Sequence, residues 1–320
     1  MIPNELSIDT IAHTYKNLSN YIIKTPLIES GPLIDKLLDT KIYFKMEFLQ
    51  NSGTFKARGA INNVLNLKKK IFEKGITTIS AGNHAIAASY VASKFKLKNK
   101  IFIYKSANPY KIKKCKEFNS NLIFTEPHEG FNNVKLASEN EGYYFLHPFD
   151  GYLTIQGTSS LGFEIFNQIQ DFDNILISVG GGGLISGVGS AIKQLNPKCK
   201  IIGIEPIGAS GMTKSLSIDK PIKDVKINTI ADSLSSPLHM EYSFNIAKNV
   251  IDEMITVSDE ELTNSMKFMF DNYRLILEPA CVTAIAALMG PLKNKLSNQK
   301  TIILLCGSNI DLETWSNLVK

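Results

Sequence analysis

Apolar positions along this chain keep to two periods that take turns. From Asp9 to Leu18, the residues Ile11, Ala12, Tyr15 and Leu18 share one helical face, and KTPL at Lys24–Leu27 closes that segment with a proline. IYFKME at Ile42–Glu47 is a short strand. The helical spacing resumes over Ala57, Ala60, Ile61, Val64 and Leu65. A strand at Ile76–Ser80 then runs into SAGNHA and a helix to about Phe95. Further strands are predicted at Ile101–Tyr104, Asn121–Phe124, Tyr143–Phe145, Asn174–Val179, Lys200–Glu205 and Thr301–Cys306. Helices are predicted at Pro109–Phe118, Phe131–Asn140, Leu161–Ile169, Leu184–Leu195 and Ser258–Tyr273, the last opened by Ser258 and Glu261 at capping-box spacing. Strand and helix alternate throughout, which implies crossover units, largely parallel sheets and the α/β class.

Composition changes this picture little. The 320 residues are 44% hydrophobic and 20% charged, enough for two domains with their own cores. The formal charge is +5, but the lysines are scattered. Runs at Lys68–Lys70 and Lys94–Lys100 sit at helix ends without interleaved aromatics, so a solvated face is expected and no nucleic-acid partner. Cys115, Cys199, Cys281 and Cys306 form no CxxC pair, which indicates neither a zinc site nor a disulfide framework and fits a reducing cytoplasm. MIPNELSIDT lacks the basic and apolar segments of a leader, and no apolar run approaches the roughly 20 residues of a membrane span, so no membrane partner is expected.

Three stretches carry candidate chemistry. Gly180, Gly181, Gly182 and Gly183 follow an apolar strand and precede a helix, where bare backbone N–H groups and the helix start can hold an anion. Neither the dinucleotide glycine spacing nor a following GK is present, so a phosphate cup or merely a tight turn remains. Ser80, Ala81 and Gly82 repeat the arrangement before Asn83 and His84. A substrate carboxylate could sit there, or Asn83 could simply cap the helix with His84 packed beside it. NSGTFKARGA at Asn51–Ala60 places Lys56 after a small flexible turn, with Phe55 offering a flat apolar face. A lysine becomes a nucleophile and base when its pKa is lowered, and a Schiff base with an aldehyde achieves this. Cys306 ends the last apolar strand; a thiol, with an ordinary pKa of about 8.5, does not keep a pyridine protonated as a carboxylate would.

Together, SGTFKARGA, SAGNHA and GGGGLISG resemble the threonine and serine dehydratase group of pyridoxal-phosphate enzymes, relatives of serine racemase with the tryptophan-synthase β-subunit fold. The resemblance runs from about Lys24 to Asp311. It implies that Lys56 bonds the cofactor, Phe55 stacks on its ring, Asn83 meets the 3-hydroxyl, Gly180 to Gly183 hold the phosphate and Cys306 faces the ring nitrogen. It further implies that Ser80, Ala81, Gly82, Asn83 and His84 grip the substrate carboxylate. The expected organisation is a large cofactor-binding domain of residues 1–50 and 148–320 and a small domain of residues 51–147, assembled as a homodimer or larger homo-oligomer.

Departures refine the expectation. Racemases of this group carry a serine where this chain has Ala81, which has no proton to give, so dehydration of L-threonine or L-serine to a 2-oxo acid and ammonia is favoured. The alternatives are another β-substituted amino acid as substrate (a hydroxyaspartate-type dehydratase, a β-replacement enzyme or a racemase) and a non-catalytic cofactor- or amino-acid-binding protein. Ile155, Ser233 and Cys281 are larger than the residues usual at those places and are expected to alter the pocket. Glu205 and Ala209 match two of three cation ligands in relatives, but Gly211 replaces an acidic third, so a divalent site is weakened and a monovalent ion is an option. The chain ends soon after the catalytic body, so no added regulatory domain is expected.

Overall fold

The computed structural model describes residues 2–320. Among them, ten strands, numbered β1 to β10 in chain order, form two sheets. The larger has the order β1 (Leu27–Glu29), β2 (Lys41–Lys45), β10 (Lys300–Leu304), β7 (Asn174–Ser178), β8 (Lys200–Pro206), β9 (Glu253–Val257). The smaller has the order β5 (Leu122–Thr125), β4 (Asn99–Tyr104), β3 (Ile76–Ile79), β6 (Tyr144–Phe145). Only β1 runs antiparallel to its neighbour; every other pairing is parallel, as the alternation of elements required. Ile302 of β10 lies beside Tyr43 on one side and Ile175 on the other. NILIS and TIIL are buried throughout, because helices cover both faces of the central strands and each residue must be apolar or paired.

The helix expected at Leu161–Ile169 begins earlier, at Tyr152, and runs to Gln168. Its first half carries no readable apolar stripe because it is enclosed by neighbouring helices. Ser159 and Ser160 there donate to the carbonyls of Gln156 and Gly157 at 2.6 Å, which satisfies hydroxyls that would otherwise be stranded. Gly157 allows close approach to the helix Lys56–Leu65: a Cβ would stand 2.6 Å from the Arg58 carbonyl oxygen. Helices Pro32–Leu38, Glu241–Val250 and Thr283–Met289 and strand β9 are further elements that the periodicity did not reveal. The predicted capping box is present, with Ser258 N donating to Glu261 at 2.7 Å and Glu261 N to Ser258 at 3.2 Å.

A fully buried set of four charges fixes the helix that begins with Lys56. Lys45 on β2 donates to Glu164 at 2.6 Å, while Arg58 reaches Glu47 at 2.5 Å and Glu164 at 3.0 Å. The Glu164 carboxylate also accepts from the Thr25 amide at 3.0 Å. Two cations face two anions, which is what makes burial of all four tolerable.

Candidate active site

The loops that follow β3, β7 and β10 converge, as ligand sites do at the carboxyl ends of parallel strands. Before Lys56 the chain turns through Ser52 and Gly53, both left-handed at φ 67° and 69°. It is then tied to the end of β10: Phe55 N donates to the Cys306 carbonyl at 3.1 Å, and Thr54 bridges to Gly307. Lys56 therefore opens its helix beside Cys306. Its Nζ donates to the Pro148 carbonyl at 2.9 Å and sits 4.9 Å from the centre of the Phe55 ring. Burial of the ammonium pulls its pKa down to about 8, against the opposing pull of Cys306 and Glu278.

Across the cavity, Gly180 to Gly183 join β7 to the helix Gly183–Leu195, with Gly182 left-handed at φ 93°. These positions have no room for side chains. A Cβ on Gly181 would lie 2.3 Å from the Phe149 ring, and one on Gly183 would lie 2.3 Å from the Phe149 carbonyl oxygen. The N–H groups of Gly180, Gly181 and Gly182 find no acceptor among the described residues, and the helix start adds partial positive charge. The cavity is lined by this loop together with Phe55, Lys56, Asn83, Ser233 and Cys306.

Asn83 begins the helix Asn83–Lys94 but does not cap it. Its amide nitrogen donates to Glu278 at 2.5 Å and to Ser233 at 3.1 Å, and its oxygen accepts from Asn309 at 2.8 Å. Ser80, Ala81 and Gly82 line an adjoining chamber that shares Lys56, Asn83 and His84 with the first cavity. The His84 ring packs inward, with Nε2 3.0 Å from both Thr78 Oγ1 and the Leu146 carbonyl, and burial lowers its pKa to about 3, so it is neutral. Cys306 and Cys281 interact thiol to thiol at the far end; burial first, and then Cys306, push the Cys281 thiol far up. All four cysteines are free.

Three site residues lay beyond the sequence reading. Glu278, Asn309 and the buried Lys111 carry no motif of their own, although Lys111 and Cys115, one helical turn apart, are the buried positions of an otherwise basic helix. Lys111 donates to Asp232 at 2.6 Å and lies 3.6 Å from Glu278. Of the three unusual residues expected at the pocket, only Ser233 lines it. Ile155 is turned the other way, onto Leu6 and Ile246, because its face of the helix covers the amino-terminal segment. Cys281 lies behind Cys306, in the core of the larger sheet.

Glu205 stands at the end of β8, outside both cavities. Its carboxylate accepts from Met212 N at 2.7 Å, Thr213 N at 2.9 Å and Thr213 Oγ1 at 2.8 Å, so it holds the start of the helix Gly211–Ser217. Burial raises its pKa to about 7. Ala209 belongs to the adjacent turn, and no group of three metal-ligating side chains occurs among the described residues.

The model of the family described as pyridoxal-phosphate dependent enzyme matches residues 18–307, and the chain belongs to that family. It is 38% identical over 310 residues to a phenylserine dehydratase of Ralstonia pickettii, covering 97% of this chain and 95% of that one. To an L-threonine ammonia-lyase of Geobacter sulfurreducens it is 32% identical over 305 residues, covering 95% and 75%. Among solved structures, maize serine racemase superimposes with a TM-score of 0.91 at 30% identity, covering 97% and 96%. The cavity fits the cofactor that the family uses: a cup of side-chain-free donors for a phosphate, a half-buried aromatic face and an amine of lowered pKa share one enclosed space. No helix among the described residues is long and apolar enough to cross a membrane.

Proposed function

We propose that this protein is a dehydratase, or ammonia-lyase, that removes water from a β-hydroxy-α-amino acid, of which L-threonine and L-serine are the simplest. The observation that carries this reading is Lys56: a buried amine with a pKa near 8 and no carboxylate partner, lining both the cavity of the Gly180–Gly183 loop and the chamber of the Ser80–His84 loop. Pyridoxal phosphate, when bound, supplies the conjugated ring that accepts the electron pair left at the α-carbon. Lys56 Nζ would hold it, and the free amine of Lys56 would take the α-proton as general base. The backbone donors of Gly180 to Gly183 would hold the phosphate, Phe55 would cover the ring, Asn83 would fix its orientation through its amide, and Cys306 would face the ring nitrogen. The loop from Ser80 to His84 binds the substrate carboxylate with its N–H groups at a helix start. The α-proton, handed on to the departing hydroxyl, lets it leave as water; return of Lys56 to its bond would free the enamine, which hydrolyses to the 2-oxo acid and ammonia.

Ala81 carries no proton, which favours elimination over a two-base racemisation. In the same reading, residues 1–50 and 148–320 form the large domain and residues 51–147 the small one, the enzyme is cytoplasmic, consistent with four unbridged thiols, and it assembles as a homodimer or larger oligomer. The test is borohydride reduction followed by peptide mapping, which fixes the cofactor to Lys56, together with an ammonia-release screen and chiral chromatography of residual serine. Lys56→Ala abolishes turnover. Ammonia release that survives this substitution, or D-serine as the main product, overturns the reading.

A further inference from the structure

The chamber beside Lys56 and the Ser80–His84 loop has a lining of two kinds. Part of it is polar: Ser80, Ser233, Ser235, Ser236 and the exposed Asp232. The rest is largely apolar, with Ile79, Tyr104, Phe131 and Phe149. Tyr104 ends β4, and Phe131 lies in the first turns of the helix Pro127–Glu141. That helix reaches the chamber because Gly130 has no side chain: a Cβ there would stand 1.9 Å from Ile79 Cδ1 and 3.2 Å from the Tyr104 ring. On the same face Val134 and Ala137 are buried against Ile79 and Phe102, whereas Phe131 is 37% exposed and makes no ring contact with another aromatic among the described residues. A large apolar ring held at the mouth of a substrate chamber, outside the core it adjoins, is a surface waiting for an apolar ligand group.

We infer that this apolar lining receives an aromatic ring on the β-carbon of the substrate, so that the preferred substrate is a 3-aryl-3-hydroxy-α-amino acid rather than threonine or serine. The inference rests on the dehydratase reading and names its substrate class. With the amino group at Lys56 and the carboxylate at the Ser80–His84 loop, the β-substituent is the part left to enter the chamber. A methyl group leaves most of its volume to water, whereas an aryl ring reaches Tyr104 and Phe131. The chemistry balances without an oxidant or reductant: Lys56 Nζ takes the α-proton, the Cα–H electron pair forms the Cα=Cβ bond as the Cβ–O bond breaks, the proton is handed on to the departing hydroxyl so that it leaves as water, and hydrolysis of the enamine consumes one water and frees ammonia and a 3-aryl-2-oxo acid.

Two measurements on the cofactor-loaded enzyme test this. The absorbance change on titration with L-phenylalanine and with L-2-aminobutyrate, neither of which has a hydroxyl to lose, reads side-chain binding without turnover. Phenylalanine binds about tenfold tighter, the value of roughly one well-placed aromatic contact. Phe131→Ala, and independently Tyr104→Leu, cut that advantage to threefold or less. In turnover, kcat/KM for phenylserine exceeds that for threonine, and Phe131→Ala lowers the ratio at least fivefold. Equal or tighter binding of aminobutyrate, a preference for threonine, or both variants leaving the ratios unmoved overturns the inference. Ammonia from threonine but not phenylserine removes the aryl assignment and leaves the dehydratase standing. Ammonia from no hydroxy amino acid removes the dehydratase, and the two titrations still decide what the chamber holds.

Discussion

Glu164→Gln isolates the buried charge set behind Lys56. In the native chain Lys45 and Arg58 face Glu47 and Glu164, all four without solvent exposure, so the site is neutral in sum. Burial already works against the charge on Lys45 and lowers its pKa, with Glu164 the strongest opposing influence. Arg58 also suffers from burial, but Glu47 and Glu164 outweigh it and its pKa is raised. Replacing Glu164 by a neutral isostere leaves one uncompensated buried cation, a change that costs about 3–5 kcal/mol. With an unfolding entropy of about 2.1 cal/mol/K per residue, 320 residues give about 0.7 kcal/mol/K, so Tm falls by roughly 6 °C.

The pH dependence adds a second signature. Without Glu164, the folded-state pKa of Lys45 falls further below its unfolded value of about 10.4. The resulting cost is fully present below the lowered pKa and disappears as pH rises toward the unfolded value. The gap in Tm between variant and native chain is therefore wider at pH 6 than at pH 9. Removing the pair together, as Lys45→Met with Glu164→Leu, recovers at least half of the loss. Differential scanning calorimetry of the three proteins reads all of this. A drop in Tm below 2 °C, a gap that widens with pH, or a double variant no better than the single one refutes the argument.

Two further outcomes concern the cofactor cavity. Only the neutral amine of Lys56 attacks an aldehyde, so the rate at which cofactor-free protein takes up pyridoxal phosphate rises with pH and reaches half its maximum near pH 8, as followed by absorbance; a midpoint above pH 10, that of an ordinary lysine, contradicts the buried setting. Gly183→Ala drives a Cβ to within 2.3 Å of the Phe149 carbonyl oxygen, which is backbone and cannot swing aside, and so costs about 1–3 kcal/mol of stability and at least tenfold in cofactor affinity, read by thermal melts and equilibrium titration. Affinity within twofold of native counts against a close-fitting cup.

What could be read in advance was whatever the chain writes locally. The glycine loop, the lysine turn and the asparagine loop each combine a strand end, small residues and a helix start within ten residues, so their chemistry shows in a short window. Partners brought in by tertiary contacts do not. Glu278 and Asn309 fix Asn83 from segments 195 and 226 residues away, and no spacing rule links them. Ile155 illustrates a subtler failure. From Leu153 to Gly162 every residue of that helix is buried, so no exposed side exists there from which to tell which residue points at the site. Capping by Ser258 and Glu261, by contrast, depends on three residues of separation alone and was readable.

The allocation of charge around the substrate loop explains why Lys56 is poised as it is. Two carboxylates, Glu278 and Asp232, stand nearby, and either could have paired with Lys56 as an ion pair. Both instead turn to Lys111. Burial works against the charge on Lys111, yet Glu278 and Asp232 outweigh it and keep the pKa raised, so Lys111 stays protonated. Glu278 spends its other oxygen on the Asn83 amide at 2.5 Å. Lys56 is left with the Pro148 carbonyl as its one polar partner among the described residues, and desolvation decides its state. Holding that amine at a pKa of about 8 costs the cofactor-free chain about 3 kcal/mol at pH 7, a cost present below pH 8 and lost as pH climbs toward the unfolded value. A second lysine that satisfies the carboxylates is thus what leaves the first without a counter-charge and with a lowered pKa.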